Sequence, residues 1–255
     1  MNIDYESVAR MTEKVFIALP QGEQGRYNDF EANIDRVITP PFTTPPQRVF
    51  GIYIANLQNA LARAFLASDF EYFWLLNDDQ IYPPDTLLRL LSHHKDIVVP
   101  LCLLKAHPHQ PLIYGKKQSN GLRSHRYLKP RERGLITEPG LSAGGGGMLI
   151  HRRVFEAIPD PWWTVTTRQA ENGIYEQTSE DFDFCDRVHE AGFQIWCDLE
   201  ASVIHKAEYG LRAMYDDNAR EWRTVLIRGE EQIVLPAAVP PESLISMPEL
   251  ALKGR

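Results

Sequence analysis

The stretch Phe73-Trp74-Leu75-Leu76-Asn77-Asp78-Asp79-Gln80 joins an apolar run directly to two adjacent carboxylates. The run starts at Phe70 and is rich in aromatic residues. An apolar run of this length is typical of a strand that is buried on both faces of a sheet. The stretch therefore predicts a central strand with Asn77, Asp78 and Asp79 at its carboxyl end.

Patterns on both sides of this strand predict alternating strands and helices. Residues 14–19 are an apolar run closed by Pro20, which indicates a first buried strand, and residues 52–66 repeat apolar side chains at helical spacing. Pro83 and Pro84 open a leucine-rich helix, since proline is tolerated in the first helical turn. Further strands are predicted at 96–101, 148–150, 194–197 and 202–204, further helices at 152–158 and 180–191, and mostly loop over 21–47.

The alternation predicts one α/β domain over residues 1–234, with a mostly parallel central sheet flanked by helices. In such sheets ligands bind at the carboxyl ends of the strands, where Asp79 is predicted to lie. Residues 115–140 are charged and punctuated by glycine, and we expect a basic, mobile excursion there. Residues 235–255 carry four prolines and are predicted to form an extended C-terminal arm.

Composition narrows the class of protein. The chain has 255 residues, of which 44% are hydrophobic and 24% charged, values that are ordinary for a globular protein. No basic cluster followed by an apolar run opens the sequence, and its longest apolar runs are too short to cross a bilayer. The three cysteines are widely spaced, which indicates buried free thiols in a reducing compartment. We therefore expect a cytoplasmic protein without a transmembrane segment.

Two pairs of acids are candidates for chemistry. Asp78 and Asp79 follow a buried strand, where adjacent carboxylates are costly unless a cation neutralises them. Mg²⁺ or Mn²⁺ would take one or two such carboxylates together with phosphate oxygens and water; the alternative is a solvated acidic turn. Glu180 and Asp181 open a predicted helix, either as an ordinary capping pattern or as a carboxylate that accepts a proton from a hydroxyl group.

Three further features each allow two interpretations. His205 ends an apolar run, where it is either structural or a ligand for an ion such as Mn²⁺. The four glycines at 144–147 lack the Lys-Ser/Thr of a phosphate-binding loop, and they form either a flexible bend or a backbone that a sugar can approach closely. Trp162 and Trp163 form either a sugar-stacking platform or packing beneath a loop.

In order and spacing these features resemble the glycosyltransferases of the GT-A fold, close to the inverting family-2 type. In that family an apolar strand ends in Asp-x-Asp before a Pro-Pro and a leucine-rich helix, which residues 73–91 match. A small-residue turn then leads into an Arg-Arg-containing segment, as at 145–155, and a Glu-Asp helix ends in Ala-Gly-Phe, as at 180–193. The resemblance covers roughly residues 14–210, and the 180–193 match is its most specific part.

The resemblance implies a metal-dependent transfer of a sugar from a nucleotide-diphosphate donor to an acceptor hydroxyl, with inversion. It implies a role for each matching residue in turn: metal ligation by Asp79 and His205, catalysis by Asp181 as the base with Glu180 in support, and donor binding by Pro20, Asn77, Asp78, Gly145 and Gly146. The metal would be Mn²⁺ or Mg²⁺, and a uridine diphosphate sugar is the first donor to consider. Asn77 departs from the pattern, because the family has aspartate there.

Two other functions remain open from the sequence. A nucleotidyltransferase would need a dense basic loop after the first strand, and residues 21–26 are a poor one. A sugar- or nucleotide-binding module with degenerate catalysis would be consistent with Asn77.

The chain also has a strongly uneven charge. Its net charge is −7, yet residues 116–133 hold seven basic side chains and one acid, so that this segment is +6 and the remainder −13. The net charge argues against a whole surface that binds nucleic acid. The basic segment is either a solvated loop, a lid over the donor diphosphate, or a site that attracts a polyanionic acceptor, including nucleic acid.

Overall fold

A computed structural model describes residues 4–22, 28–106, 109–118, 121–169, 175–206, 210–228 and 231–235. The helices are α1 (Tyr5–Ala9), α2 (Asn28–Ile34), α3 (Ile54–Leu66), α4 (Thr86–Ser92), α5 (Arg152–Ala157) and α6 (Glu180–Glu190). The first strands are β1 (Val15–Gln21), β2 (Gln47–Phe50), β3 (Tyr72–Leu75), β4 (Gln80–Ile81), β5 (Ile97–Leu101), β6 (Ile113–Tyr114), β7 (Leu135–Ile136) and β8 (Ser142–Ala143). The remaining strands are β9 (Leu149–His151), β10 (Thr166–Gln169), β11 (Tyr175–Thr178), β12 (Ile195–Ser202), β13 (Ile204–Lys206), β14 (Gly210–Asp216), β15 (Glu221–Arg228) and β16 (Glu231–Val234).

The central sheet has the order β2-β1-β3-β9-β5-β12-β7. Its β2-β1-β3 part and its β5-β12 pair are parallel. β9 is antiparallel to both of its neighbours, and β7 is antiparallel to β12. The α/β class is therefore confirmed, and the sheet is mixed because two short strands run against the others.

Strand β3 lies within this sheet and is buried on both faces. Side chains alternate between the two faces of a strand. Phe73 and Leu75 accordingly belong to one hydrophobic cluster, and Trp74 and Leu76 to a second cluster on the other side. All four side chains are fully buried, so each contributes about 1.5–3 kcal/mol of hydrophobic stabilisation. The strand predicted from residues 70–76 is confirmed.

Helix α3 covers one face of the sheet because its apolar residues recur at helical spacing. Leu57, Leu61 and Phe65 are buried against the sheet, and Phe65 packs edge-on to Phe73 with ring centroids 5.4 Å apart. This packing fixes the first turn of α3 beside the carboxyl ends of β1 and β3, where Ile54 and Gln58 border a cleft.

A second sheet, with the order β16-β15-β14-β13-β4, is antiparallel throughout. It joins the domain through β4, which follows directly after Asp79. The β4–β13 pairing sets His205 opposite Gln80, and the amide of Lys206 donates to the carbonyl of Asp79 at 2.7 Å. This sheet therefore brings His205 to Asp79.

Several elements differ from the sequence-based expectations. Helix α2 lies in the region predicted as mostly loop. The strand predicted at 194–197 is the longer β12, and the three-residue strand predicted at 202–204 lies two residues further on, as β13. Within the predicted excursion at 115–140, Leu135–Ile136 form β7, which pairs with β12 at an edge of the central sheet. The predicted arm at 235–255 lies outside the described residues except for Leu235.

Two expectations from composition can be compared with the fold. Cys102, Cys185 and Cys197 are buried free thiols, as predicted. Across the ranges that the structure covers, every helix is too short or too polar to pass through a bilayer.

Candidate functional site

The carboxyl ends of β1 and β3 and the first turn of α6 border one polar cleft. The cleft consists of two cavities of about 200 and 190 Å³, and Asn77 and Asp181 line both of them. The first cavity is also lined by Pro20, Gly22, Ile54, Gln58, Asp78, Asp79 and Glu180. The second is also lined by Gln80, Val99, Pro100, Cys102, Leu112, Ala143, Gly144, Gly145, Gly146 and His205. All nine site residues named from the sequence thus line this cleft, while their roles stay predictions.

Asp79 lies in this cleft between two cationic or potentially cationic side chains. Its Oδ2 atom is 2.6 Å from Lys105 Nζ and 3.4 Å from His205 Nε2. Burial alone would raise the pKa of Asp79, but the hydrogen bonds from His205 and Lys105 outweigh it and lower that pKa. Asp79 is therefore held ionised.

His205 is oriented by its other ring nitrogen. Nδ1 lies 2.6 Å from the carbonyl oxygen of Leu103 and donates to it, which directs Nε2 towards Asp79. Burial lowers the pKa of His205, but its hydrogen bonds to Asp79 and Cys102 prevail and raise that pKa to about 10. An imidazole whose Nδ1–H is fixed on a backbone carbonyl is the usual arrangement for a metal ligand.

The donor atoms at Asp79 and His205 fit a divalent ion such as Mn²⁺ or Mg²⁺. Asp79 Oδ1 is buried and has no hydrogen-bond partner, which leaves one carboxylate oxygen available to a cation. A carboxylate and an imidazole suit Mn²⁺, and Mg²⁺ keeps several water or phosphate ligands of its own. No group of three or more His, Cys, Asp or Glu side chains placed to hold a metal occurs among the described residues. An ion here would therefore need ligands from a bound diphosphate and water.

Asp181 is the second carboxylate of interest, at the start of α6. Burial and the adjacent charge of Glu180 raise its pKa to about 7, although the Gly145 amide and the Gln58 side chain lie near it and pull that pKa back. Asp181 Oδ1 is buried and forms no hydrogen bond of good geometry. A carboxyl group with a pKa near neutrality is suited to exchange protons with a substrate hydroxyl.

The glycine run is required where these side chains approach the backbone. A Cβ atom on Gly145 would lie 2.6 Å from Asp181 Oδ1, and one on Gly146 would collide with the side chain of Gln80. Gly147 has a φ of 78°, which favours glycine. The run is therefore more than a flexible bend: it admits Asp181 and Gln80 into the cleft.

A buried hydrogen-bond chain supports the loop after β3. Asn33 of α2 bonds both the amide and the carbonyl of Tyr82, at 2.7 and 2.8 Å. The Tyr82 hydroxyl donates to Gln80 Oε1 at 2.8 Å and accepts from the Asn77 amide at 3.0 Å. Helix α2 therefore positions Asn77 through Tyr82.

Sequence reasoning missed four polar residues of the site: Gln58, Gln80, Tyr82 and Lys105. The one local signal among the four was Gln58, a polar side chain that is buried within α3. Lys105 lies in a loop with no pattern, and only the folded sheet places it beside Asp79.

The basic segment at 116–133 is largely engaged by carboxylates. Lys117 and Arg123 pair with Asp186, and Arg133 pairs with Glu200. Arg126 is 9% exposed and pairs with Glu132. Four of the seven basic side chains are thus paired with carboxylates, and no described residue of the segment lines either cavity of the cleft. A lid or a polyanion site stays a prediction.

Trp162 and Trp163 pack inside the protein. They are 4% and 1% exposed, and Trp163 stacks on Phe184 with ring centroids 4.7 Å apart. The packing interpretation of this pair is confirmed, and a sugar-stacking platform is wrong.

Comparisons with known proteins give evidence on the fold. No protein-family model and no curated protein matches the chain. Among solved structures, A197 from STIV is similar with a TM-score of 0.53 at 15% identity, over 86% of this chain and 95% of that one. S. aureus TarS 1–349 in complex with UDP-GlcNAc has a TM-score of 0.41 at 10% identity, over 72% of this chain and 55% of that one. The chain thus shares its overall α/β fold with A197.

Proposed function

We propose that this chain is a glycosyltransferase of the GT-A type, which transfers a sugar from a nucleotide-diphosphate donor to an acceptor hydroxyl with inversion. The observation that carries the proposal is the composition of the cleft. Asp79 and Asp181 line its first cavity, and His205 and Asp181 line its second. The Asp79 carboxylate, whose pKa is lowered, and the Asp181 carboxyl group, whose pKa is raised to about 7, thus border one small polar space.

In this mechanism Asp79 and His205 would hold Mn²⁺ or Mg²⁺. When bound, such an ion neutralises charge that develops on a leaving diphosphate. Pro20, Asn77 and Asp78 line the part of the cleft that would receive the nucleotide and its ribose. Gly145 and Gly146, which have no side chain, would let the donor sugar approach the backbone closely.

Asp181 would act as the general base. Its ionised form accepts the proton of the acceptor hydroxyl as the oxygen attacks the anomeric carbon, opposite the leaving diphosphate. The transition state resembles an oxocarbenium ion, as in glycoside hydrolysis. Because the pKa is about 7, a large share of Asp181 is ionised at neutral pH and the remainder is poised to ionise. Glu180 supports this role through its charge.

A thermal-shift panel tests the binding half of the proposal. Nucleoside diphosphates of each base and their common sugar derivatives are compared with and without Mn²⁺. We expect at least one donor to raise the melting temperature only when Mn²⁺ is present, and Asp79→Asn to remove that shift. If no nucleotide gives a metal-dependent shift, the proposal is wrong.

Donor turnover tests the catalytic half. Metal-dependent release of sugar from the bound donor is followed in wild type and in Asp181→Asn. We expect the variant to keep donor binding and to lose turnover by about 10²-fold or more, in line with general base catalysis. Binding without turnover in the wild type would instead identify a binding module with degenerate catalysis.

A further inference from the structure

Lys105 is a cation already placed at the predicted metal ligand. Its Nζ atom lies 2.6 Å from Asp79 Oδ2, and its side chain is 34% exposed. The same carboxylate oxygen faces His205 Nε2 at 3.4 Å. The charge that a divalent ion would bring to Asp79 is therefore supplied in part by an ammonium group of the chain itself.

Simultaneous binding of an ammonium group and a divalent ion to the Asp79 carboxylate is energetically unfavourable. Like charges a few ångströms apart repel strongly at a partly buried site. Lysine carries its charge on a flexible four-carbon stem, and this side chain reaches solvent, so it can move while the backbone stays in place. Asp79 borders the first cavity and lies 2.6 Å from the Lys105 ammonium group, so an ammonium group released from Asp79 would be within reach of a diphosphate bound there.

We propose that Lys105 is a diphosphate-binding residue: it neutralises Asp79 while the cleft is empty, and it transfers to the donor diphosphate when a divalent ion binds Asp79. This inference rests on the proposed function and adds a residue to it. Lys105 would bind two successive anions, the carboxylate first and then a phosphate oxygen. Metal and diphosphate would consequently enter as a cooperative pair.

The proposal requires opposite effects on two ligands when the lysine is removed. In Lys105→Met, Mn²⁺ alone no longer competes with an ammonium group, and we expect it to bind about tenfold more tightly. Inorganic pyrophosphate, titrated in excess Mg²⁺, loses a charge-assisted hydrogen bond, and we expect it to bind about tenfold more weakly. Free Mn²⁺ is measured by electron paramagnetic resonance and pyrophosphate binding by calorimetry. Lys105→Arg keeps the charge, so we expect it to move both affinities back towards the wild-type values.

Lys206→Met is the matched control. The Lys206 amide bonds the Asp79 carbonyl at 2.7 Å, while its ammonium group pairs with Asp29 at 2.6 Å. It follows His205 in β13, and adjacent side chains of a strand point to opposite faces. The control removes the same charge near the same residue without touching the cleft, and we expect both affinities to stay within about twofold, as for a screened charge.

The outcomes separate this inference from the proposed function. If wild type binds Mn²⁺ and pyrophosphate, and Lys105→Met shifts both affinities in the same direction or neither of them, Lys105 is a structural partner of Asp79 and the inference is wrong. A control variant that reproduces the opposite shifts would also overturn it, because the effect would then be general electrostatics. If the wild type binds neither Mn²⁺ nor pyrophosphate, the proposed function itself fails.

Discussion

Replacing Asp181 by asparagine should stabilise the fold while it removes the proposed base. The pKa of Asp181 is raised from 3.8 to about 7 by burial and by Glu180. Between pH 3.8 and about pH 7, Asp181 is ionised in the unfolded chain but largely protonated in the folded chain. The folded state is therefore penalised increasingly as pH rises from about 4 to about 7, and the penalty is complete above pH 7. Asparagine is of similar size and has no such penalty.

The pKa difference sets the size of the effect. Three pKa units correspond to about 4 kcal/mol at 25 °C, which is an upper limit. Although Oδ1 is buried, the Asp181 residue as a whole is only half-buried, so solvent screens some of this energy and we expect about 2–3 kcal/mol at pH 8. At pH 5 the difference should fall to about 1 kcal/mol, and near pH 4 it should vanish. For a protein of this length, 2–3 kcal/mol raises the melting temperature by roughly 5–10 °C.

The assay is urea unfolding of wild type and Asp181→Asn at several pH values between 4 and 8, with turnover measured on the same preparations. Asp183→Asn is the control from the same helical turn. Asp183 accepts a hydrogen bond from Thr164 Oγ1 at 2.6 Å, so its replacement should lower the free energy of unfolding. A stability difference for Asp181→Asn that does not change with pH, or a variant less stable than wild type at pH 8, would refute the electrostatic account of this site.

Four further outcomes are expected. Glu180→Gln removes a charge that raises the pKa of Asp181, so the acid limb of the pH–rate profile should move to lower pH by about half a unit to one unit. Gly145→Ala places a Cβ atom 2.6 Å from the carboxylate of Asp181 and should lower turnover by about tenfold or more. Gly144→Ala makes contacts no closer than 3.8 Å, so steady-state kinetics should show little change. Asn77→Asp adds a carboxylate to the cleft, and Mn²⁺ binding without nucleotide, measured by electron paramagnetic resonance, should tighten by about tenfold.

The parts of the fold that were predictable are those with a long, one-sided or two-sided apolar pattern. Strand β3 and helix α3 were found because burial on both faces or on one face leaves a distinct spacing of apolar residues. Helix α2 was missed because seven residues give too few repeats of the helical pattern among many prolines. The direction of β9 was also out of reach, since a three-residue apolar strand has the same pattern whichever way it runs.

For the site, the positions of the key residues were predictable from the sequence and their environments were not. Asp79 lies between β3 and β4 and Asp181 lies in the first turn of α6, so the predicted strand end and helix start indicated where they lie; His205 was predicted to follow a strand and lies within β13. Their environment depends on contacts between distant segments, and local pattern carries no information about these. The ion pair between Lys105 and Asp79 and the close contact of Asp181 with Gly145 both join segments that are distant in sequence.

Asn77 and Lys105 act on the site in the same direction. The resemblance places a carboxylate where this chain has the neutral Asn77, and Lys105 adds a positive charge 2.6 Å from the carboxylate that remains. Both features reduce the negative charge available to attract a divalent ion, and His205, with its pKa of about 10, reduces it further when the cleft is empty. The affinity of the cleft for a free divalent ion should then be low. A diphosphate that arrives with the ion supplies the missing negative charge. On the proposed function, we expect a cleft of this charge to bind the metal–diphosphate complex more tightly than the free ion.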